Sequence, residues 1–216
     1  MTLSQIILTN NEDVLTRMLA HPFVEDVCAD RLAKDVFHRY LVYEGAFVET
    51  AIAIFAHAVA KAPDIEARRW LIGVLDALAN TQIPYFQGCF DRLGLQTTSD
   101  LPEDVVIFRD GMLQIGEQGD FLKIATAMFA AEWMYWKWCA RAAKCYISDP
   151  DLRAWVVLHV KDEFAAQASW LKNVIDQHGS TEDEARLSKV FRQATELEIT
   201  FHHAPYDSEP DSRSQS

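Results

Sequence analysis

The segment Lys34–Lys61, KDVFHRYLVYEGAFVETAIAIFAHAVAK, decides the fold. It contains no proline, Phe37, Leu41, Val48, Ile52 and Phe55 recur at helical spacing, and Pro63 stops it. That pattern predicts one long amphipathic helix. A single position breaks the stripe: Glu44 stands where another aliphatic residue is expected. A carboxylate on an apolar face is costly unless it is paired, hydrogen-bonded or protonated, so this residue asks for a partner.

Outward from that helix, eight glycines and seven prolines fall between segments of period near 3.6, and no alternating β-branched run demands a strand. The chain reads as all-α. Short helices are expected over Glu12 to Leu19 and Val24 to Ala29. The long helix is followed by Asp64 to Leu93, kinked or broken near Pro84 and stopped by Gly94. Further helices run from Asp100–Pro102 to about Gln114, from Phe121 to Tyr146, from Asp151 to His178, and from a Ser180 or Thr181 cap to about His203. These elements predict a single-domain helical bundle over residues 1–204, with a polar, disordered tail over 205–216.

Half of the 216 residues are hydrophobic, enough for one sizeable core. A formal charge of −12 without a basic cluster argues against nucleic acid or an anionic membrane as partner and leaves a small molecule. Apolar stretches such as Ala51 to Ala60 read as too short to span a bilayer, so no transmembrane segment is expected. Cys28, Cys89, Cys139 and Cys145 show no CxxC pairing and no charged leader precedes the first helix, which places the protein in the cytoplasm with reduced thiols.

Two further helices repeat the anomaly of Glu44. Glu132 interrupts the stripe Phe121, Ile124, Met128, Tyr135, Cys139, and Glu198 interrupts Leu187, Phe191, Ala194, Phe201. If the three faces converge, the acids and the aromatics Tyr43, Phe47, Tyr135, Trp136 and Phe201 line one cavity suited to a flat, amine-bearing ligand. Burial and mutual repulsion then raise at least one carboxyl pKa toward neutrality. Each acid taken alone also fits the edge of a stripe, reaching solvent or a basic neighbour. His159, Asp162 and Glu163, and Glu198 with His202, are ingredients of a carboxylate-bridged metal site, though no ExxH pair is present.

At these residues the chain resembles the TenA family, which includes thiaminase II and aminopyrimidine hydrolases of thiamin salvage. HPFVEDVCADRLAKDVFHRYLVYEGAFV resembles the family's opening, with Glu44 at its aspartate, Tyr43 at a usual glutamine and Gly45 at a usual aromatic. ELEITFHHAPY resembles its closing Glu-x-x-Phe-Trp-x-x-Ala-Tyr, which places Glu198 at the catalytic acid/base. WVVLHVKDEF is similar to a Trp-x-x-x-Tyr-x-x-x-x-Phe segment, with His159 at the tyrosine, and Phe108 also stands where a tyrosine is usual. In FAAEWMYWKWC no cysteine falls at the place of the thiaminase nucleophile; Glu132 and Tyr135 instead match the branch that carries a glutamate there, as do Tyr85 and Phe86 in YFQGCFDRLG.

The resemblance implies a haem-oxygenase-like helical fold, a homo-oligomer (tetramer or dimer), and no haem, other cofactor or metal. It implies hydrolysis of 4-amino-2-methylpyrimidines bearing an aminomethyl or formylaminomethyl group at position 5. Glu198, Glu132 and Glu44 are the catalytic candidates. Glu44, Phe47, Tyr43, Tyr85, Phe86, Phe108, Tyr135, Trp136 and His159 are the candidates for binding substrate. Two rivals remain open from sequence: a noncatalytic pyrimidine sensor, and a di-iron oxidase using Glu44, His159, Asp162, Glu198 and His202.

Overall fold

A computed structural model describes residues 1–206, and among them it forms helices only. In chain order these are α1 (Leu3–Asn10), α2 (Glu12–Leu19), α3 (Pro22–Cys28), α4 (Lys34–Lys61), α5 (Ile65–Ala77), α6 (Ile83–Leu93), α7 (Glu103–Gln118), α8 (Phe121–Ala142), α9 (Pro150–Leu158), α10 (Asp162–His178) and α11 (Glu184–His203). Side-chain caps set several of the starts. Asp64, Asp120 and Asp149 accept backbone N–H groups at the heads of α5, α8 and α9, and His21 Nδ1 accepts from Phe23 N, 3.1 Å, at the head of α3.

Helix α8 is the axis of the bundle. Ile124, Phe129, Ala130, Met134, Trp138 and Cys139 are fully buried along it, and it packs against α4, α7, α10 and α11. Helix α4 crosses the same core and has the bounds its sequence predicts. By length and composition α4 is also apolar enough to cross a membrane, contrary to the expectation from its interrupted stretches. Here its apolar face packs on α5, α7 and α8.

Three departures from expectation have local causes. Helix α1 was not anticipated; Thr2 and Gln5 form a reciprocal capping box, and Asp176 of α10 accepts from Ser4 N at 2.7 Å and Ser4 Oγ at 2.8 Å. The segment Asp64 to Leu93 is interrupted by a π-helical turn, Leu78–Gln82, just before Pro84. Proline has no N–H to offer the carbonyl four residues earlier, and the wider turn accommodates that loss. The helix expected over Asp151 to His178 is two helices, broken at residues 159–161. His159 Nδ1 bonds the Trp155 carbonyl at 2.9 Å there, and α10 restarts on the acids Asp162 and Glu163.

The expected tail begins in contact with the bundle. Arg39 Nε donates to the Pro205 carbonyl at 2.7 Å, and the Tyr206 hydroxyl donates to Asp26 at 3.0 Å. The rest of the expected disordered tail, residues 207–216, lies outside the described residues.

Gly45 explains how α6 approaches α4. A Cβ there would lie 2.6 Å from Phe90 Cζ and 3.2 Å from the buried Phe86 ring, so the absent side chain is what admits both rings. Gly45→Val is expected to lower the thermal midpoint by roughly 3–8 °C through overpacking. Gly45→Ala should cost less, because alanine gains about 1 kcal/mol over glycine in a helix interior. Thermal melts of both variants check this.

Candidate active site

The three anomalous acids meet. Glu44 of α4, Glu132 of α8 and Glu198 of α11 line one chamber of about 90 Å³, together with Phe47, Phe108, Tyr135, His159 and Phe201. Small side chains help leave the space open, since Ala51 and Ala131 are also part of its wall. A second chamber of about 380 Å³ adjoins it and shares Leu78, Gln82, Glu132, His159 and Phe164. Both irregular backbone segments, the π-helical turn and the α9–α10 break, therefore lie at the boundary between the chambers.

Each carboxyl has its own setting. Glu44 Oε2 accepts the Trp155 indole N–H at 2.7 Å, and Oε1 lies 3.7 Å from His159 Nε2. Because the Trp155 carbonyl can only accept, the His159 proton sits on Nδ1, leaving a lone pair on Nε2 toward Glu44. Burial pushes Glu44 up to about 8, with the Trp155 bond acting in the opposite direction, and pushes His159 down to about 4. The contact is thus a carboxylic acid facing a neutral imidazole near pH 7, not an ion pair.

Glu132 Oε1 accepts from Gln167 Nε2 at 2.7 Å while Oε2 has no partner. Protein surrounds this carboxyl although it borders both chambers, and burial raises it to about 7. Glu198 is 2% exposed and its Oε2 has no partner. Burial first, and then the charges of Glu44 and Glu132, hold its pKa well above the usual carboxylate range. A site with three carboxyls, two of them with an unpaired oxygen, is built to receive hydrogen-bond donors or positive charge.

Rings complete the chamber. Phe108 packs between Phe47 and Phe201 at centroid distances of 4.5 and 4.6 Å, forming an apolar wall. Tyr135 stacks on His159 at 5.5 Å, and its hydroxyl bonds that of Tyr40 at 2.6 Å.

Of the residues singled out in the sequence, Glu44, Glu132, Glu198, Phe47, Phe108, Tyr135 and His159 share the chamber, and Tyr85 lines the adjoining one. Three others do not reach it. Tyr43 is buried on another flank of α4, Phe86 packs against Gly45, and Trp136 packs on Trp133 with the Lys137 ammonium over both rings. Helical phase separates these neighbours: residues one apart in a helix face about 100° away from each other. Sequence reasoning missed Gln82 and Gln167, and it matched Trp155 and Phe164 within WVVLHVKDEF without naming them as site residues. Gln167 left a signal, a lone amide near the apolar residues Phe164, Ala168 and Leu171.

None of the four cysteines lines the chamber. The residues proposed for a di-iron centre do not assemble: Asp162 is exposed in the first turn of α10, and His202 Nδ1 donates to the Glu198 backbone carbonyl at 2.7 Å. Among the described residues no three of His, Cys, Asp or Glu are grouped to hold a metal ion.

A helical bundle with carboxyls from three helices beneath an aromatic wall is a haem-oxygenase-like helical fold. The chain belongs to the TENA/THI-4/PQQC family, whose model matches residues 10–208. It is 22% identical over 196 residues to an aminopyrimidine aminohydrolase from Halalkalibacterium halodurans, covering 87% of this chain and 88% of the relative. It is also 22% identical over 218 residues to an aminopyrimidine aminohydrolase from Helicobacter pylori, covering 96% and 100%. The solved structure of a TenA homologue from Pyrococcus furiosus superposes with a TM-score of 0.86 at 19% identity, covering 94% of this chain and all of that one. These aminohydrolases are distant homologues, and the structural likeness establishes the fold.

Proposed function

We propose that the protein is a hydrolase of 5-substituted 4-amino-2-methylpyrimidines in thiamin salvage, of the branch in which a glutamate stands in place of the nucleophilic cysteine. The observation that carries this reading is the convergence of three carboxyls from three helices under one aromatic wall. The aminohydrolase relatives, distant as they are, support the same substrate class.

A carboxyl matches the edge of a 4-aminopyrimidine with two hydrogen bonds, one to the ring nitrogen and one from the amino group. The match holds whichever side carries the shared proton. Glu44, neutral when the chamber is empty, bridges the ring nitrogen and the 4-amino group, and proton transfer between them helps polarise electrons toward loss of the 5-substituent. Phe47 and Phe108 border the ring. Glu198 protonates the departing amine and then activates water, while Glu132, held by Gln167, orients the 5-substituent. For the aminomethyl substrate the C–N bond breaks, water supplies the hydroxyl of the hydroxymethyl product, and ammonia leaves. The inner chamber, about 90 Å³, is smaller than the cavity of about 150 Å³ that admits benzene in another protein, so the aminopyrimidine occupies both chambers across the boundary at Gln82 and Phe164.

A mass-spectrometric screen of 5-substituted aminopyrimidines, thiamin included, tests the reading directly. Conversion of the aminomethyl or formylaminomethyl compound is expected. Tight binding of these compounds without any product would instead make the protein a sensor. Glu44→Ala is expected to weaken binding of the aminopyrimidine by about 10- to 100-fold, the value of one or two charge-assisted hydrogen bonds, measurable by calorimetry.

A further inference from the structure

Away from the chamber, three of the four cysteines gather where α3 meets the end of α8. Cys28 closes α3, Cys139 lies fully buried on α8, and Cys145 follows α8 in the connection to α9. Cys28 and Cys145 are both partly exposed; burial is the first influence on the Cys28 thiol and raises its pKa, and the Arg141 guanidinium and the Cys145 thiol are the neighbours that act on it next. The two segments that carry these thiols are fastened on both sides of them. Arg141 Nη2 donates to Glu25 Oε1 at 2.9 Å on one side. On the other, Asp30, in the left-handed region at φ 56°, accepts from Ser148 N at 2.8 Å and Ser148 Oγ at 2.9 Å. The Cys145 thiol also donates to the Arg141 carbonyl at 3.6 Å, which keeps it in the same turn. Three hydrogen bonds between the two segments thus bracket the partly exposed Cys28 and Cys145 and keep the stretches that carry them together.

We propose that Cys28 and Cys145 are a reversible oxidation site, closing to an intramolecular disulfide that straps α3 to the end of α8. With hydrogen peroxide as oxidant, one thiolate attacks an oxygen, the O–O bond breaks and water leaves, giving a sulfenic acid. The second thiol attacks that sulfur, the S–O bond breaks and a second water leaves. Two thiols and one peroxide thus give one disulfide and two waters, and dithiothreitol reverses the change. The strap closes a loop of roughly a hundred residues, for which chain entropy favours a measurable gain in stability. It draws on none of the chemistry assigned to the chamber, so it stands or falls separately from the proposed activity.

The test treats the full-length protein with hydrogen peroxide or diamide and reads intact mass, free thiols and peptide maps with and without dithiothreitol. Expected are a reversible loss of about 2 Da, two fewer titratable thiols, a Cys28–Cys145 cross-linked peptide, and a thermal midpoint raised by roughly 5–10 °C. Cys145→Ser and Cys28→Ser should each abolish the cross-link, whereas Cys89→Ser should retain it. Cys145 is the safer of the two variants, because it lies outside the helices. Four free thiols after treatment, a linkage mapping to Cys139 in place of Cys145, or intermolecular dimers alone would overturn the proposal.

Discussion

Glu198→Gln is expected to reduce turnover of the aminopyrimidine substrate by about 10²- to 10⁴-fold while leaving its affinity within a few-fold of wild type. The substitution keeps the shape of a side chain that is 2% exposed, so packing around α11 is conserved. What it removes is the exchangeable proton. Burial first, and then the charges of Glu44 and Glu132, hold the Glu198 carboxyl well above the usual carboxylate range, which favours the protonated form that can protonate a leaving amine. Its Oε2 has no partner within the protein, so that oxygen is free to act on the substrate. Ammonia release measured beside calorimetric binding separates the two effects. Full activity in Glu198→Gln would remove this residue from the proposed chemistry, and an equal loss of binding and turnover would make it an anchor in place of an acid.

Much of this site was legible because the carboxyls violate a pattern that is otherwise well kept. Long helices of strong period such as α4 and α8 advertise their buried faces, and an acid on such a face stands out against its neighbours. Glu44, Glu132 and Glu198 were each visible in this way. Residues adjacent to them, such as Tyr43 and Trp136, were harder, because an aromatic residue fits core, interface and ligand wall equally well. The π-helical turn and the α9–α10 break were not legible in full. Pro84 marks the first only approximately, and the second has neither proline nor glycine; it depends on His159 binding the Trp155 carbonyl. Gln82 reaches the chamber from the π-helical turn and was missed with it, whereas His159 was found although the helix break that places it was not. Helix α1 is short, and its burial depends on contacts with α10 and α11 at the far end of the chain.

The carboxyls that would serve catalysis should weaken the empty protein at alkaline pH. Glu44 rises from 4.5 to about 8 and Glu132 from 4.5 to about 7 on folding, and Glu198 is raised as well. The folded state therefore holds protons that the unfolded chain releases above about pH 4.5, so the stability linked to these groups is complete below that pH and is lost as pH climbs through 7 to 8. The buried histidines act in the opposite sense. His159 falls to about 4 and His202 to about 3, both mainly by burial, so their contribution is complete above 6.5 and disappears as pH drops toward 4 and 3. Between about pH 4.5 and 6.5 the two sets oppose one another, and above 6.5 only the carboxyls change, so the thermal midpoint of the ligand-free protein is expected to decline from about pH 6.5 toward pH 8. At pH 8 Glu44→Gln and Glu132→Gln should each melt higher than wild type, by an amount reflecting up to a few kcal/mol, while at pH 5 they should gain little. Melting curves from pH 4 to 9 on wild type and both variants would check this; an alkaline limb as steep in the variants as in wild type would show that these carboxyls do not carry it. A bound aminopyrimidine supplies amine donors that the chamber lacks and a ring nitrogen that can share the Glu44 proton, so it should flatten the alkaline limb in wild type and do less in Glu44→Gln. Coupled gains of this kind, present with the wild-type carboxyl and diminished with the amide, would tie the instability of the empty chamber to the binding of its ligand.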